Sequence, residues 1–568
     1  MKNRKYLPIL FVAGIILVNF KKMFMDFHID VEYAVAMSYR LAMGDNMFSQ
    51  MREPHQTSAF LLAFFIKIWM WAIGNTTGLV LFLNAVSLFF KLLVVLFFYY
   101  TLKRYCNPRT TFLAVCFVAI SNAKTYVILD FSNMQTYFAL LLFCCLARYL
   151  ENPRHKKWLI LSALFLCLEI LSYPSCLLLY GIVSVFLLCV SSERLKDWFL
   201  FSGICLILGG AYIAFFGFRL GWADLLFYIQ EIVAGDGSHA ISMADKITGY
   251  DNTIGYLKEI GHLLSVYGIC AALSCLIVLL ARILRKKTTS SKKDLAHLGV
   301  FTFFALLGAF DLWCILTVYY KFVWTEWYFP LFLLGILLLR HCNATEKKLF
   351  WLGTGLGFGC MSATLLLTNL SFATGMAYLI PMIAVTFIPI SRGTQNVRWN
   401  THHFLYIFLA LALFRNLFTF LPMSIYPQNI FSIGNIVRSG PAAGIISDYM
   451  GPYIMDSNMR EWPQHVQQGD RLLTVSTSGV VSTLPYLYED VIISTPSTIC
   501  TPTYDERLLQ YWEQNPDRYP NVVAVDCWFG HLNVDEDSWI MQWIYEEFGA
   551  DSYEDGAYLR YYRKPDTK

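Results

Sequence analysis

Residues 58–74, "SAFLLAFFIKIWMWAIG", decide the topology of this chain, because whether they cross a membrane fixes the side on which everything after them lies. The run is short, carries Lys67 at its centre and is rich in Phe and Trp, as a helix lying in the lipid interface would be. The chain around it is 57% hydrophobic, 17% aromatic and only 15% charged over 568 residues. Soluble domains do not have that composition, so many membrane spans are required. No basic stripe points to a nucleic acid partner.

Short cytoplasmic loops collect Lys and Arg. Seven basic clusters recur along the chain, at 1–5, 103–109, 148–157, 193–196, 282–293, 340–348 and 391–398. All seven share the cytoplasm only if two spans separate each from the next. Three apolar runs, 6–20, 58–73 and 78–101, lie between the first two clusters. One of them must not cross, and 58–73 is therefore read as a helix along the outer surface. The remaining runs pair as 111–129 with 132–150, 158–172 with 174–191, 198–218 with 260–282, 297–320 with 322–340, and 348–369 with 372–390. A last span at 403–422 carries the tail outward. The expectation is an all-α polytopic protein of the plasma membrane with 13 transmembrane helices and a cytoplasmic N-terminus. The basic, apolar start lacks a small-residue cleavage pattern and reads as a retained first span.

The tail differs physically from the rest. Residues 423–568 hold nine Lys/Arg against 20 Asp/Glu, while 1–422 hold 35 against 20. Runs such as "RLLTVST" and "NVVAVDCWFG" suggest strands, and "DERLLQYWEQNP" suggests a helix. The division expected is a membrane module, 1–422, with outer loops at 21–77 and 219–259, and a small extracytoplasmic α/β domain, 423–568. Of the 15 cysteines only Cys500 and Cys527 fall in this tail, where an oxidising compartment would let them pair. "RSGPAAG" (438–444) has no strand before it and reads as a turn rather than a phosphate cradle.

Outward-facing chemistry follows from that asymmetry. "FHIDVEYAVAMSYRLAMGDNMF" (27–48) places Asp30, Glu32 and Tyr33 just beyond the first span, before a short helix ending at Gly44. "YVILDFSNMQTYF" places Asp130 in the outer turn between the third and fourth spans. A carboxylate losing water near lipid becomes a better base; each acid is equally a good helix cap. Lys91 and Arg415 fall inside spans, where they either snorkel or pair with Asp311 or Glu169.

The Asp30-x-Glu32-Tyr33 motif, the helix ending "RLAMGD" (40–45) and "REPHQTSAFLLAFFIKIW" (52–69) together resemble the first-loop signature of the GT-C superfamily of polytopic membrane glycosyltransferases. Within it they are similar to the protein mannosyltransferase and aminoarabinose transferase branch. Asp130 resembles that branch's second-loop acid, and "KFVWTEWYFPLFLL" (321–334) looks like a span start found there, with Tyr328 as a pocket residue. The chain has Asp30-Val31-Glu32 where an adjacent Asp-Glu pair is commoner, and His55 where Pro or Lys is often seen.

The resemblance implies an inverting transfer of a sugar from a polyprenyl-phosphate donor to a glycan, lipid or protein acceptor on the extracytoplasmic face. Asp30 would be the general base, with Glu32 the alternative and Asp130 its partner. Arg40, Arg52, Arg219, Lys246, Lys258 and Lys321 are the cations on that side able to hold the donor phosphate, or equally lipid headgroups. No cofactor is expected; Asp30, Glu32, His28 and His55 are the residues near enough in sequence to hold a divalent cation. A polysaccharide polymerase or ligase, and a lipid-linked sugar transporter or flippase, stand as alternatives; the latter would show repeated halves, and no internal repeat is present.

Overall fold

The computed structural model describes residues 6–191, 193–235, 250–284, 292–317, 324–368, 370–393, 403–420, 428–448, 450–476, 484–488, 491–498 and 507–564. Lys246, Lys321 and Cys500 lie outside the described residues. Helices come first: α1 (Tyr6–Phe24), α2 (Ile29–Met43), α3 (Phe60–Ile73), α4 (Leu79–Leu102), α5 (Pro108–Ile120), α6 (Phe131–Glu151), α7 (Lys157–Ser172), α8 (Leu177–Val190), α9 (Arg194–Leu220) and α10 (Trp222–Gly235). Further long helices run over Tyr250–Leu284, Lys292–Thr317 and Ala344–Leu367, with Phe372–Gly393 and His403–Phe418 closing the bundle.

Eight described helices are long and apolar enough to cross a membrane, and the chain is a multi-pass membrane protein. Gln56–Ile73, which the parity argument laid along the surface, is one of the eight by length and composition. The bundle packs on small residues, as helices in lipid do. A Cβ added to Gly357 would stand 2.7 Å from Met382 Cβ, and Gly353 and Gly359 meet Val385 and Leu179 still more tightly.

One helix is shorter than the sequence implies. The span expected over 111–129 ends at Ile120, and residues 121–130 form an irregular segment instead. Its polar groups are bonded locally. Asn133 on α6 donates to the carbonyls of Tyr126 (3.2 Å) and Ile128 (2.8 Å) and accepts from Ala123 N (3.1 Å). Such side-chain bonds compete with a helix for the backbone groups.

After the last helix come a two-stranded ladder, β1 (Thr419–Phe420) with β2 (Gln428–Asn429), and a mixed sheet whose strands, in spatial order, are Ile492–Ile493, Arg471–Val475, Val522–Trp528, Leu559–Arg563 and Tyr553–Asp555. Strands β3 (Arg471–Val475), β4 (Ile492–Ile493) and β5 (Val522–Trp528) run parallel; β6 (His531–Leu532), β7 (Tyr553–Asp555) and β8 (Leu559–Arg563) pair antiparallel. β5 reads Val-Val-Ala-Val because both of its faces are covered. Val522 and Ala524 join the core shared with the bundle, while Val523 and Val525 face Trp512, Met541 and Ile544. Cys527 is buried on the same strand, its Sγ donating to the Gly556 carbonyl at 3.8 Å.

Loop and tail are bonded to each other. Arg52 N donates to Pro496 O (2.8 Å), Tyr511 Oη to Gln50 O (2.9 Å), and Arg518 pairs with Asp45 (2.9 Å). The turn at 438–444 caps the start of α4, taking Gly78 N on Gly440 O (3.0 Å) and Val80 N on Pro441 O (3.0 Å). Gly440 suits that turn because its φ of +70° is in the left-handed region. These bonds hold the first loop and the tail together at one face of the bundle.

Candidate active site

The first turn of α2 and the irregular 121–130 segment meet at that face. His28 caps α2, its Nδ1 accepting from Asp30 N (3.3 Å), which leaves the Asp30 side chain at the helix start pointing across the gap. Lys124 Nζ donates to Asp30 Oδ2 at 2.9 Å, and Tyr126 Oη lies 3.3 Å from the same oxygen. Tyr126 Oη also donates to Asp130 Oδ2 at 2.9 Å. Asp130 in turn caps α6 by accepting from Asn133 N (2.8 Å). One tyrosine hydroxyl thus spans two carboxylates that lie 100 residues apart in sequence.

Their environments differ. The Asp30 side chain is 22% exposed, whereas Asp130 is buried. Burial pushes Asp30 up, but the Lys124 ammonium, followed by His28, outweighs it and holds the carboxyl well below the usual carboxylate range. For Asp130 burial wins over Lys124 and the Asn133 and Tyr126 bonds, and the pKa rises from 3.8 to about 6. Lys124 is kept charged chiefly by Asp30 against the cost of its burial. One acid is thereby fixed as an anion and its neighbour is poised near neutrality. His55 forms a wall of the site, stacked 3.8 Å from the Phe131 ring, over which Lys124 Nζ also lies at 5.9 Å.

The other sequence candidates have different surroundings. Glu32 is fully buried on the opposite side of α2, where its charge faces Tyr488 of the tail. Arg40 is buried and bonded to Asp45 (2.8 Å) and Gln50 O (2.8 Å), with Glu53 at 3.5 Å. It clamps loop to tail instead of standing free for a phosphate. Arg52 bonds Gln514 and lies over the Tyr228 ring at 4.7 Å; Arg219 bonds Asn46. Lys258 is exposed on the helix Tyr250–Leu284. Tyr33 is buried in α2, and Tyr328 packs edge-on to Phe117 inside the bundle at 5.9 Å. Asp30, Glu32, His28 and His55 do not form a ligand set, for among the described residues no three His, Cys, Asp or Glu side chains converge on a common point. Lys91 pairs with neither Asp311 nor Glu169: it donates to Asn122 and Asn19, while Arg415 lies with Asp311 and Glu326.

Lys124 and Tyr126 are missing from the sequence candidates because an apolar window reads straight across them. The polar run Ser121, Asn122, Lys124, Thr125 was the available signal.

No protein-family model and no curated protein sequence matches the chain. Among solved structures it is similar to the Archaeoglobus fulgidus oligosaccharyltransferase in its apo form, at 10% identity over 92% of this chain and 70% of that one, TM-score 0.43. The archaeal oligosaccharyltransferase AglB from Archaeoglobus fulgidus in complex with an inhibitory peptide and a dolichol-phosphate gives 11% identity over 92% and 70%, TM-score 0.42. ArnT from Cupriavidus metallidurans in the apo state gives 11% identity over 98% and 97%, TM-score 0.39.

Proposed function

We propose that this chain is an inverting glycosyltransferase that moves a hexose or pentose from a polyprenyl-phosphate carrier to an acceptor on the extracytoplasmic face. The observation that carries the reading is the Lys124-Asp30-Tyr126-Asp130 cluster where α2 meets the irregular segment at one end of a membrane bundle. Asp30 is the acid in it with an open side, and it is anionic. In the transfer the acceptor oxygen or nitrogen forms a bond to the anomeric carbon while the bond from that carbon to the phosphate oxygen breaks. The electron pair leaves with the polyprenyl phosphate, and the acceptor proton passes to Asp30.

Lys124 gives this base its control. While Lys124 holds Asp30 the carboxylate is a poor base; when the ammonium turns to the departing phosphate, Asp30 loses its counter-charge and gains basicity as negative charge develops on the leaving group. Asp130, through Tyr126, holds the hydroxyl against Asp30. Lys124 already stands as the cation on Asp30, so the reading assigns the electrostatic role to the lysine. The first loop and tail lie outside the cell in this reading, with the N-terminus in the cytoplasm, and the membrane module and tail domain divide near residue 422.

The test is transfer from a radiolabelled polyprenyl-phosphate sugar by wild-type protein and by Asp30→Asn. Transfer by wild type and its loss in the variant are expected. A variant as active as wild type would remove Asp30 from the chemistry.

A further inference from the structure

A second polar cluster lies under the first, between α1 and α4. On α4, Asn84, Ser87 and Lys91 recur at three- and four-residue spacing and share one buried face. Asn84 Nδ2 donates to Met23 O (3.0 Å), and Ser87 Oγ accepts from Leu129 N (3.0 Å). Lys91 Nζ donates to Asn122 Oδ1 (2.6 Å) and Asn19 Oδ1 (3.3 Å). From α1, Lys22 Nζ reaches the same Asn122 oxygen (3.4 Å) and Ile120 O (3.3 Å). Two side-chain nitrogens therefore share one amide oxygen, within about 6 Å of each other, and both residues are 2% exposed.

Among the described residues no carboxylate bonds either lysine. Asp26 acts on Lys22 only at a distance, being bonded to Lys21 at 2.7 Å, and Arg415 lies with Asp311 and Glu326. The bonds made by Lys22 and Lys91 are all to neutral oxygens. Two buried ammoniums meeting only amide and carbonyl oxygens are costly until an anion joins them.

We infer that Lys22 and Lys91, framed by Asn19 and Asn122, bind the phosphate of a lipid-borne donor; this deepens the proposed transfer and rests on it. Position supports the assignment. Asn122 Nδ2 donates to Tyr126 O (2.7 Å), so the pair is one residue removed from the tyrosine that spans Asp30 and Asp130. On the lipid side, Phe20 of α1 and Phe89 and Leu92 of α4 are exposed, which offers an isoprenoid tail an apolar path while its head enters between the helices. Two ammoniums at that depth favour a leaving group that departs as a phosphate anion.

The experiment is binding of polyprenyl monophosphate to the full-length protein in detergent, with inorganic phosphate and uncharged polyprenol as the other probes. Lys91→Met and Lys22→Met should each weaken monophosphate binding by about tenfold to a hundredfold, with Lys91→Arg recovering most of it. Melting temperatures report folding, and Lys22→Met carries the test if Lys91→Met does not fold. Binding undiminished in both methionine variants overturns the site, as does polyprenol binding as tightly as the monophosphate. Inorganic phosphate bound as tightly as the lipid overturns the lipid source. Lysine-dependent binding without any sugar transfer by wild type keeps the site and removes the transfer reading; Asp30-dependent transfer with lysine-independent binding does the reverse.

Discussion

Asp30 and Glu53 stand on the same stretch between α1 and α3, and each faces a cation, yet they have opposite uses. Glu53 is fully buried and fully engaged: Ser497 Oγ, Thr498 N (2.6 Å) and Thr498 Oγ1 (2.9 Å) all donate to it, with Arg40 at 3.5 Å. Burial raises its pKa, and Arg40 with the Ser497 and Thr498 bonds only partly offsets this. Asp30 keeps an open side and, besides Tyr126 and His28, a flexible partner in Lys124, whose four-carbon stem lets the ammonium move. A saturated carboxylate can only hold structure; one with an exchangeable cation can change state during a reaction.

The sharpest way to break the contrast is to neutralise both acids. Asp30→Asn should lower transfer by ~10²–10⁴-fold, the range of a lost general base, with a smaller fall in melting temperature than Glu53→Gln causes. Glu53→Gln should do the opposite, loosening the tail while leaving the chemistry of the molecules that stay folded. A steady-state assay paired with a thermal melt separates the two, and an Asp30→Asn protein that melts early without losing transfer would reverse the assignment.

Removing the cation of the closed site is the next largest effect. Arg40→Met leaves Glu53 buried without its cation and Asp45 with Arg518 alone, and breaking a buried pair from one side costs ~3–5 kcal/mol. The expected readout is a lowered melting temperature and faster proteolysis within 494–518. A neutral result would mean that solvent already reaches the clamp.

How much of this contrast the sequence could supply is instructive. Composition and charge rhythm were enough for a polytopic helical bundle, because lipid forces long apolar helices and loop charge orients them. The tail strands were legible too, since Val522 to Val525 form an apolar run bounded by Pro520 and Gly530. Asp30 and Asp130 were visible as acids where lipid meets water. Their shared partner was not, for Lys124 and Tyr126 sat inside a window whose mean hydropathy still read as a span. Nor could the fate of Arg40 be read: its partners come from residues 45–53 and 496, and no local pattern couples them. Lys91 was visible as a charge inside a span, but its meeting with Lys22 was not, their common acceptor Asn122 belonging to the irregular segment that reads as helix.

The open site can be sharpened through pH. The Asp130 pKa is raised from 3.8 to about 6, so between those values the folded protein holds a proton that the unfolded chain has released. Stability therefore declines as pH rises through that window and is flat above it. Ionised Asp130 accepts from Tyr126, whereas protonated Asp130 competes for the same hydroxyl position, so transfer should fall on the acid side of pH 6. Asp130→Asn keeps the α6 cap, because asparagine caps as well as aspartate. It should remove the acid limb from the pH–rate profile with little loss of stability; a limb unchanged in the variant would assign it to another group.

The smallest effect tests the bridge itself. Tyr126→Phe deletes one hydroxyl that serves Asp30 at 3.3 Å and Asp130 at 2.9 Å, and leaves the ring stacked near His28. Asp130 keeps its Asn133 bond, so the fold should hold, and the loss of one bond to a carboxylate predicts a fall in transfer of ~10-fold. What separates a bridge from a mere packing residue is the coupling. If Tyr126 links the acids, Tyr126→Phe should shift the acid limb of the pH–rate profile, and the double variant with Asp130→Asn should lose no more activity than the stronger single. Additive losses would mean that the two carboxylates, though joined by one hydroxyl, act independently.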